Sequence, residues 1–291
     1  MNQKVTVIGA GRMASALAGA LFKKGFATTV WNRTASKTEP LSRLGLRVAQ
    51  SLLEAVNETD VIIVNINDYN STLQLLQHPD IESALRSKIL VQLTSGNPKD
   101  AREMESWARR AGIWYLDGAI WSAPMAIGTP QCTILYSGSE ELFNRVKPVL
   151  MAFGDNTRLV GNEIGQASAL DVAVLAGFLM NAMLGFLQGY IVCEAENVSP
   201  EMYVQFVKNS MPALERAIAR VCRKLQEKDY VGDQASLEAW SAGPRMLISW
   251  GRDHGVDHSM ADAYLGLMDR AINAGKGQAD FAYLYEVLKA G

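Results

Sequence analysis

The feature that most constrains this chain is a short apolar run that ends in a glycine loop close to the start of the sequence. Val5-Thr6-Val7-Ile8 reads as a buried strand, and Gly9-Ala10-Gly11-Arg12-Met13-Ala14 follows at once. The segment from Arg12 to Lys24 then reads as a helix with small residues on one face. Strand, G-x-G-x-x-A and helix in this order make a dinucleotide fingerprint. Gly9 permits the tight turn, Gly11 lets the backbone approach a pyrophosphate, and small Ala14 lets helix and strand pack closely. The free N–H groups and the dipole of the helix N-terminus favour the anion. Gly9, Ala10, Gly11, Arg12 and Met13 are therefore expected to touch a cofactor.

Strand and helix patterns continue to alternate through residue 160. Further strands are expected at Thr28 to Trp31, Asp60 to Ile66, Ile89 to Leu93, Ile113 to Leu116 and Cys132 to Tyr136, with helical stretches between them. Such βαβ alternation implies an α/β fold whose N-terminal part is a Rossmann, doubly wound sheet covered by helices on both faces. The second strand carries the choice of cofactor. Where an NAD enzyme places Asp or Glu on the ribose 2'-hydroxyl, this chain reads Trp31-Asn32-Arg33-Thr34, then Ser36-Lys37. Asn32, Arg33, Thr34 and Lys37 offer hydrogen-bond donors and positive charge, which suit a 2'-phosphate, so the expected cofactor is NADPH.

After Gly161 the strand signals stop, and the rest reads as all-helical. The expected organisation is a Rossmann domain over residues 1–162, a long interdomain helix over 163–197, and an all-α C-terminal domain over 198–291. Gly165 to Glu196 reads as one helix, with Gly177, Gly185 and Gly189 allowing close contacts at some cost in propensity. Ser199 caps the next helix, which Pro200 opens, and breaks are expected around Asp229 to Asp233 and at Gly255. Val172 to Cys193 is almost continuously apolar, and about twenty residues would suit a bilayer. Its flanks, Asp171, Glu194 and Glu196, lack the basic bias of a membrane span. A buried helix is therefore expected, and about a hundred and thirty helical residues are too few to cover it without a partner.

A net charge of −2 with no basic run excludes an electrostatic pull toward nucleic acid or an anionic membrane. Cys132, Cys193 and Cys222 are widely spaced in apolar sequence and read as buried free thiols of a reducing, cytoplasmic compartment. They form no metal set with His78, His254 and His258. After Met1-Asn2-Gln3-Lys4 the first apolar run is too short for a signal peptide.

Several strings together carry a resemblance to a known family. VWNRTASKTEPL, LTSGNP at Leu93 to Pro98, YLDGAI at Tyr115 to Ile120, IGTP at Ile127 to Pro130, LYSGS at Leu135 to Ser139, GQASALDVAVL and Lys228-Asp229-Tyr230 resemble the imine reductases and reductive aminases. The resemblance spans essentially the whole chain. These enzymes are relatives of the β-hydroxyacid dehydrogenases. The resemblance implies that Asn65, Ile66, Thr94 and Ser95 complete the cofactor site, with Ser95 where some reductive aminases carry Asn. It also implies a substrate pocket drawn from Ile120, Trp121, Ser122, Met125, Leu175, Leu179 and Trp240. Leu179 stands where many such enzymes carry a large residue, so aromatic contacts would come from Trp121, Trp240 or Trp250.

One substitution gives the resemblance chemical content. β-Hydroxyacid dehydrogenases carry a catalytic Lys early in the interdomain helix and an Asn one turn later; the aligned positions here are Asp171 and Leu175. Hydride addition to a carbonyl builds negative charge that a cation or proton donor must stabilise. Hydride addition to an iminium consumes positive charge, so a nearby carboxylate suits it. As the resemblance implies, Asp171 is the catalytic residue of an NADPH-dependent reduction of C=N bonds, acting on an imine or on a ketone plus an amine. The same resemblance implies a reciprocal, domain-swapped homodimer. Two other readings stay open at this point: a β-hydroxyacid or alcohol dehydrogenase with an atypical proton donor, and a non-catalytic NADPH-binding protein.

Overall fold

A computed structural model of the chain describes residues 3–291. Eight strands form one sheet: β1 (Lys4–Ile8), β2 (Ala27–Trp31), β3 (Arg47–Val48), β4 (Val61–Val64), β5 (Ile89–Gln92), β6 (Trp114–Ile120), β7 (Thr133–Ser137) and β8 (Asn156–Gly161). Their spatial order is β3-β2-β1-β4-β5-β6-β7-β8. All neighbours run parallel except β6 and β7, which are antiparallel. The first six follow the doubly wound Rossmann order, whose ligand crevice lies beyond the carboxyl ends of the strands at the reversal point.

The connecting helices are α1 (Arg12–Lys23), α2 (Glu39–Arg43), α3 (Leu52–Asn57), α4 (Tyr69–Leu76), α5 (Pro79–Leu85), α6 (Pro98–Ala111) and α7 (Glu140–Leu150). Side chains alternate across the pleat, so each central strand feeds two cores. Val5, Val7, Val61, Ile63, Ile89 and Val91 pack in one cluster with α1 and α7. Ile8, Ile62, Val64 and Leu90 pack in the other with residues of α3 to α6. Local chemistry sets the helix starts. Ser51 and Asp68 cap α3 and α4, and Asn97 with Asp100 closes a capping box on α6.

The structure corrects the strand boundaries. β6 runs on to Ile120 rather than stopping at Leu116, and β3 and β8 add to the sheet. β3 is two residues long, and β8 is a partly exposed NTRLVG; neither offers the apolar run by which a buried strand is recognised.

Two compact units divide the chain at residues 187 and 188. The division falls inside the long helix rather than at either of its ends. That helix continues from α8 (Gln166–Asp171) through a π-helical stretch, Val172–Leu179, into α9 (Met180–Ala195). A π segment interrupts it, and its apolar side chains are exposed along its length, Phe178 at 43% and Met183 at 58%. Its mean hydropathy of 1.9 reflects an apolar surface that the single chain does not cover.

The second unit contains α10 (Pro200–Glu227), α11 (Leu237–His254), α12 (Ser259–Ala271) and α13 (Leu284–Lys289). Ser199 caps α10, accepting from Met202 N–H, and Lys228 and Gly255 end α10 and α11 in left-handed conformations. Leu237, Met268, Ala271, Leu284 and Val287 form a small core. Gly189 has the expected role, since a Cβ there would collide with Tyr203, whereas Gly185 meets nothing. The three cysteines are free thiols, but only Cys132 is buried; Cys222 is exposed on α10, correcting the expectation of three buried thiols.

Candidate active site

The strand ends at the reversal point build a dinucleotide cradle. Gly9 has φ +123°, and a Cβ there would collide with the Asn65 carbonyl oxygen and crowd Ala14. Gly11 behaves differently. It is the N-cap of α1, lacks a side-chain capping bond, and a Cβ on it would meet only open space. The first turn of α1 contains no acid. Glycine at 11 thus leaves room in front of uncapped backbone N–H groups, as a pyrophosphate requires. Arg12 and Met13 open that turn, and Ala10 packs against the core beneath it.

Beside this loop lies a cleft of about 270 Å³ lined by Gly9, Trp31, Asn32, Arg33, Thr34, Lys37, Ser71 and Gln74 among others. Asn32 Nδ2 donates to the Thr34 carbonyl at 2.9 Å, which shapes the turn. Arg33 and Lys37 are exposed, and neither pairs with a carboxylate among the described residues. The donor set therefore fits a dinucleotide bearing a 2'-phosphate. The far wall, Ser71, Gln74 and Leu75 on α4, was not legible in the sequence, because helix polarity alone does not say which cleft a helix borders.

The next two strand ends are clamped together. Asn65 Nδ2 donates to the Leu93 carbonyl at 2.6 Å, and Ile66 N–H donates to Thr94 Oγ1 at 3.2 Å. Thr94 Oγ1 in turn donates to Gln92 Oε1, and Gln92 Nε2 donates to Thr72 Oγ1. Asn65 and Thr94 thus spend their side chains on holding the rim, while Ser95 is exposed beside Asp171.

Asp171 ends α8 where the helix loosens into its π stretch, a geometry often found at functional sites. It lines a small cavity of about 10 Å³ with Thr94, Ser95, Gly118, Ile120 and Ser168. Burial pushes its carboxyl above the ordinary range, and the facing Trp121 indole N–H acts in the opposite sense. That N–H nevertheless closes no hydrogen bond. Trp121 Nε1 and Asp171 Oδ1 are both buried without a partner.

A second carboxyl, unforeseen from the sequence, fixes the base of this helix. Asp117 on β6 is fully buried. Its Oδ1 accepts from Tyr69 Oη at 2.5 Å and Tyr115 Oη at 2.9 Å, and its Oδ2 from Ser168 Oγ at 2.8 Å. Burial raises its pKa, and the three hydroxyl donors oppose that rise. Ser168 precedes Asp171 by three residues, on the same helix face, so the bond to Ser168 sets where Asp171 points. Gly96 belongs to the arrangement, since a Cβ there would sit against the Tyr69 ring. The signal available in the sequence was one acid inside the apolar strand YLDGAI.

The other expected pocket residues belong to several elements of both units. Leu175 is half-buried and Leu179 exposed on the π stretch, and Met125 is 88% exposed on the turn Pro124–Ala126. Ser122 Oγ accepts from Thr133 N–H at 2.9 Å, tying the β6–β7 connection. Trp240 lies in the second unit with its ring edge against Phe281. Trp250, in the same unit, donates to Glu196 and stacks on His254.

Comparison with known proteins decides the family. Residues 4–161 match the NAD-binding domain of 6-phosphogluconate dehydrogenase, and residues 163–290 match the C-terminal domain of NADPH-dependent reductive aminase-like proteins. An imine reductase from Myxococcus stipitatus, solved in complex with NADP+, is 42% identical with a TM-score of 0.90, over 98% of this chain and 99% of that one. The chain belongs to the imine reductase and reductive aminase family. An NADPH-dependent reductive aminase from Aspergillus oryzae is 29% identical over the whole of this chain and 99% of its own length. A reductive aminase from Aspergillus terreus, solved with NADPH4, cyclohexanone and allyl amine, is 29% identical with a TM-score of 0.88, over 99% of this chain and 100% of that one.

Proposed function

We propose that this chain is an NADPH-dependent imine reductase that converts C=N bonds to amines, including imines assembled from a ketone and an amine. The observation that carries the reading is the character of Asp171, a half-buried carboxyl beside the cofactor rim where a carbonyl-reducing relative would place a lysine. When bound, NADPH supplies the hydride. The residues of the chain do the rest. The N-terminus of α1 would hold the pyrophosphate, and Arg33 and Lys37 would hold the 2'-phosphate. Asp171, whose carboxyl burial biases toward the protonated form, gives its proton to the imine nitrogen and then faces the resulting cation as a carboxylate.

Asp171→Asn tests this directly. Turnover of a cyclic imine is expected to fall about 10²- to 10⁴-fold with NADPH affinity retained. Undiminished turnover would remove Asp171 from the reaction.

We further propose that a second copy of this chain covers the apolar face of the long helix. Support comes from Asp171 itself, a half-buried polar group on that helix close to the cofactor rim, and from acids rather than basic residues at the helix ends. Sedimentation without detergent should give a dimer at micromolar concentration. A monomer, or a species that partitions into detergent, would defeat the proposal.

A further inference from the structure

Asp171 is held weakly by its own helix. Only five residues of α8 precede it, and α8 starts without a side-chain cap, its N-cap being Gly165 in a left-handed conformation. Directly after Asp171 the π stretch begins, so regular α-helical bonds do not continue beyond it. Its position therefore has to be fixed from outside the helix. Ser168, one turn earlier, supplies that restraint by donating to Asp117 Oδ2 at 2.8 Å. The same carboxyl also reaches the cofactor side of the crevice. Asp117 Oδ1 accepts from Tyr69 Oη at 2.5 Å, and Tyr69 opens α4, whose Ser71, Gln74 and Leu75 line the cofactor cleft. The Tyr69 ring lies so close to the backbone of Gly96 that no Cβ fits between them. Ser95 and Gly96 share the small cavity with Ser168 and Asp171. Two walls of that cavity, the Ser95–Gly96 turn and α8, are thus tied to one buried acid. Tyr115, the third donor, stands on the same strand as Asp117 and ties no further element. A carboxylate suits this junction, because both of its oxygens accept and all three hydroxyls can donate to it.

We propose that Tyr69 and Ser168 are positioning residues for the reduction, two arms of a brace centred on Asp117 that sets the gap between the cofactor rim at Ser95 and Gly96 and the carboxyl of Asp171. The brace deepens the proposed imine reduction, on which it rests, by naming the part of the chain that holds the acid at its working distance. Hydride and proton go to adjacent atoms of one C=N bond, so their two sources must be fixed relative to each other. A drift of about 1 Å between such groups costs about 10²-fold in rate. The groups that suit the phosphates of NADPH, the N-terminus of α1 and the basic turn after β2, lie outside the brace. Loosening it should therefore slow the chemistry and leave cofactor affinity in place.

Tyr69→Phe keeps the ring against Gly96 and removes one arm; Ser168→Ala removes the other. Each leaves Asp117 two of its three donors. Both variants, the double variant and Ser168→Thr, which retains a hydroxyl, are assayed as full chains for reduction of a cyclic imine by NADPH. Rates are read in a single turnover and divided by the concentration of NADPH-binding sites, so that a loss of folded protein alone does not lower them. Each single variant should lose about 10- to 100-fold in rate, with NADPH affinity changed by less than about twofold. Either break frees the same gap, so the double variant should be little slower than the worse single one, and Ser168→Thr should recover most of the rate. Full rates in the single variants, losses that multiply in the double variant, or a loss confined to NADPH affinity would overturn the brace. Where the serine variants bind no NADPH, the rate and affinity of Tyr69→Phe decide. Asp171→Asn, assayed in parallel, separates the readings. If it reduces the imine at full rate, the proposed function fails and the brace with it. If it abolishes reduction while Tyr69→Phe and Ser168→Ala keep full rates, only the brace fails.

Discussion

The two halves of this chain use apolar sequence in opposite ways. In the sheet, Val7, Val30 and Val61 through Val64 are fully buried, and each face of the central strands meets helices of the same unit. Along α10, by contrast, the buried residue is a charged one, Lys224, paired with Asp229 and Asp233, while Met202, Phe206 and Ile218 are exposed. The exposed apolar surface of the long helix repeats this pattern. Hydrophobic sequence thus specifies burial, but not the partner that supplies it. The sheet answers that demand with helices of its own unit; the long helix leaves it open, and the second unit meets only part of it through its small core.

The contrast can be broken most severely at the glycine loop. Gly9→Ala forces an alanine to φ +123° against the Asn65 carbonyl and should destabilise the first unit by about 3 kcal/mol or more, abolishing NADPH binding. Gly11→Ala, with open space around its Cβ, should leave thermal stability unchanged and weaken NADPH alone. Calorimetric melting beside a cofactor titration separates these outcomes. A comparable loss follows from Asp117→Ala, which strands the hydroxyls of Tyr69, Tyr115 and Ser168 and should cost about 3 kcal/mol in denaturant unfolding.

Next in size is a test of the uncovered helix. Met183→Asp should leave the melting of isolated monomer nearly unchanged, because the side chain is exposed, yet shift the sedimentation equilibrium toward monomer. A variant that stays dimeric would place the covering contact elsewhere. Arg33→Ala combined with Lys37→Ala should raise the KM for NADPH by about 10- to 100-fold and leave that for NADH nearly unchanged. Asp117→Asn gives the smallest signal. The folded pKa of Asp117 is raised, so the proton it retains stabilises the fold at low pH. That contribution is lost as pH rises from the ordinary carboxylate range through the raised value. The Asn variant should flatten this slope in a series of melts against pH.

Legibility in the sequence followed locality. The glycine loop, the basic turn after β2 and the Ser199 cap each act within a few residues, and each stands where the sequence placed it. The Asp117 cluster draws on residues 69, 115, 117 and 168, which only the sheet order brings together, so no spacing announces it. The π stretch was equally hidden. VAVLAGFL is as apolar in an α-helix as in a π-helix, and side-chain pattern does not record the hydrogen-bond step.

By itself, then, the sequence determined the Rossmann half, its dinucleotide loop, the preference for a 2'-phosphate and the carboxyl at position 171. All rest on backbone conformations and charges that neighbouring residues specify. Tertiary structure alone decided that Asp117 anchors the helix bearing Asp171, that Trp121 faces that carboxyl, and that the chain by itself leaves the long helix uncovered. These are questions of which distant surfaces meet, and burial supplies the driving force for such meetings without naming the partner.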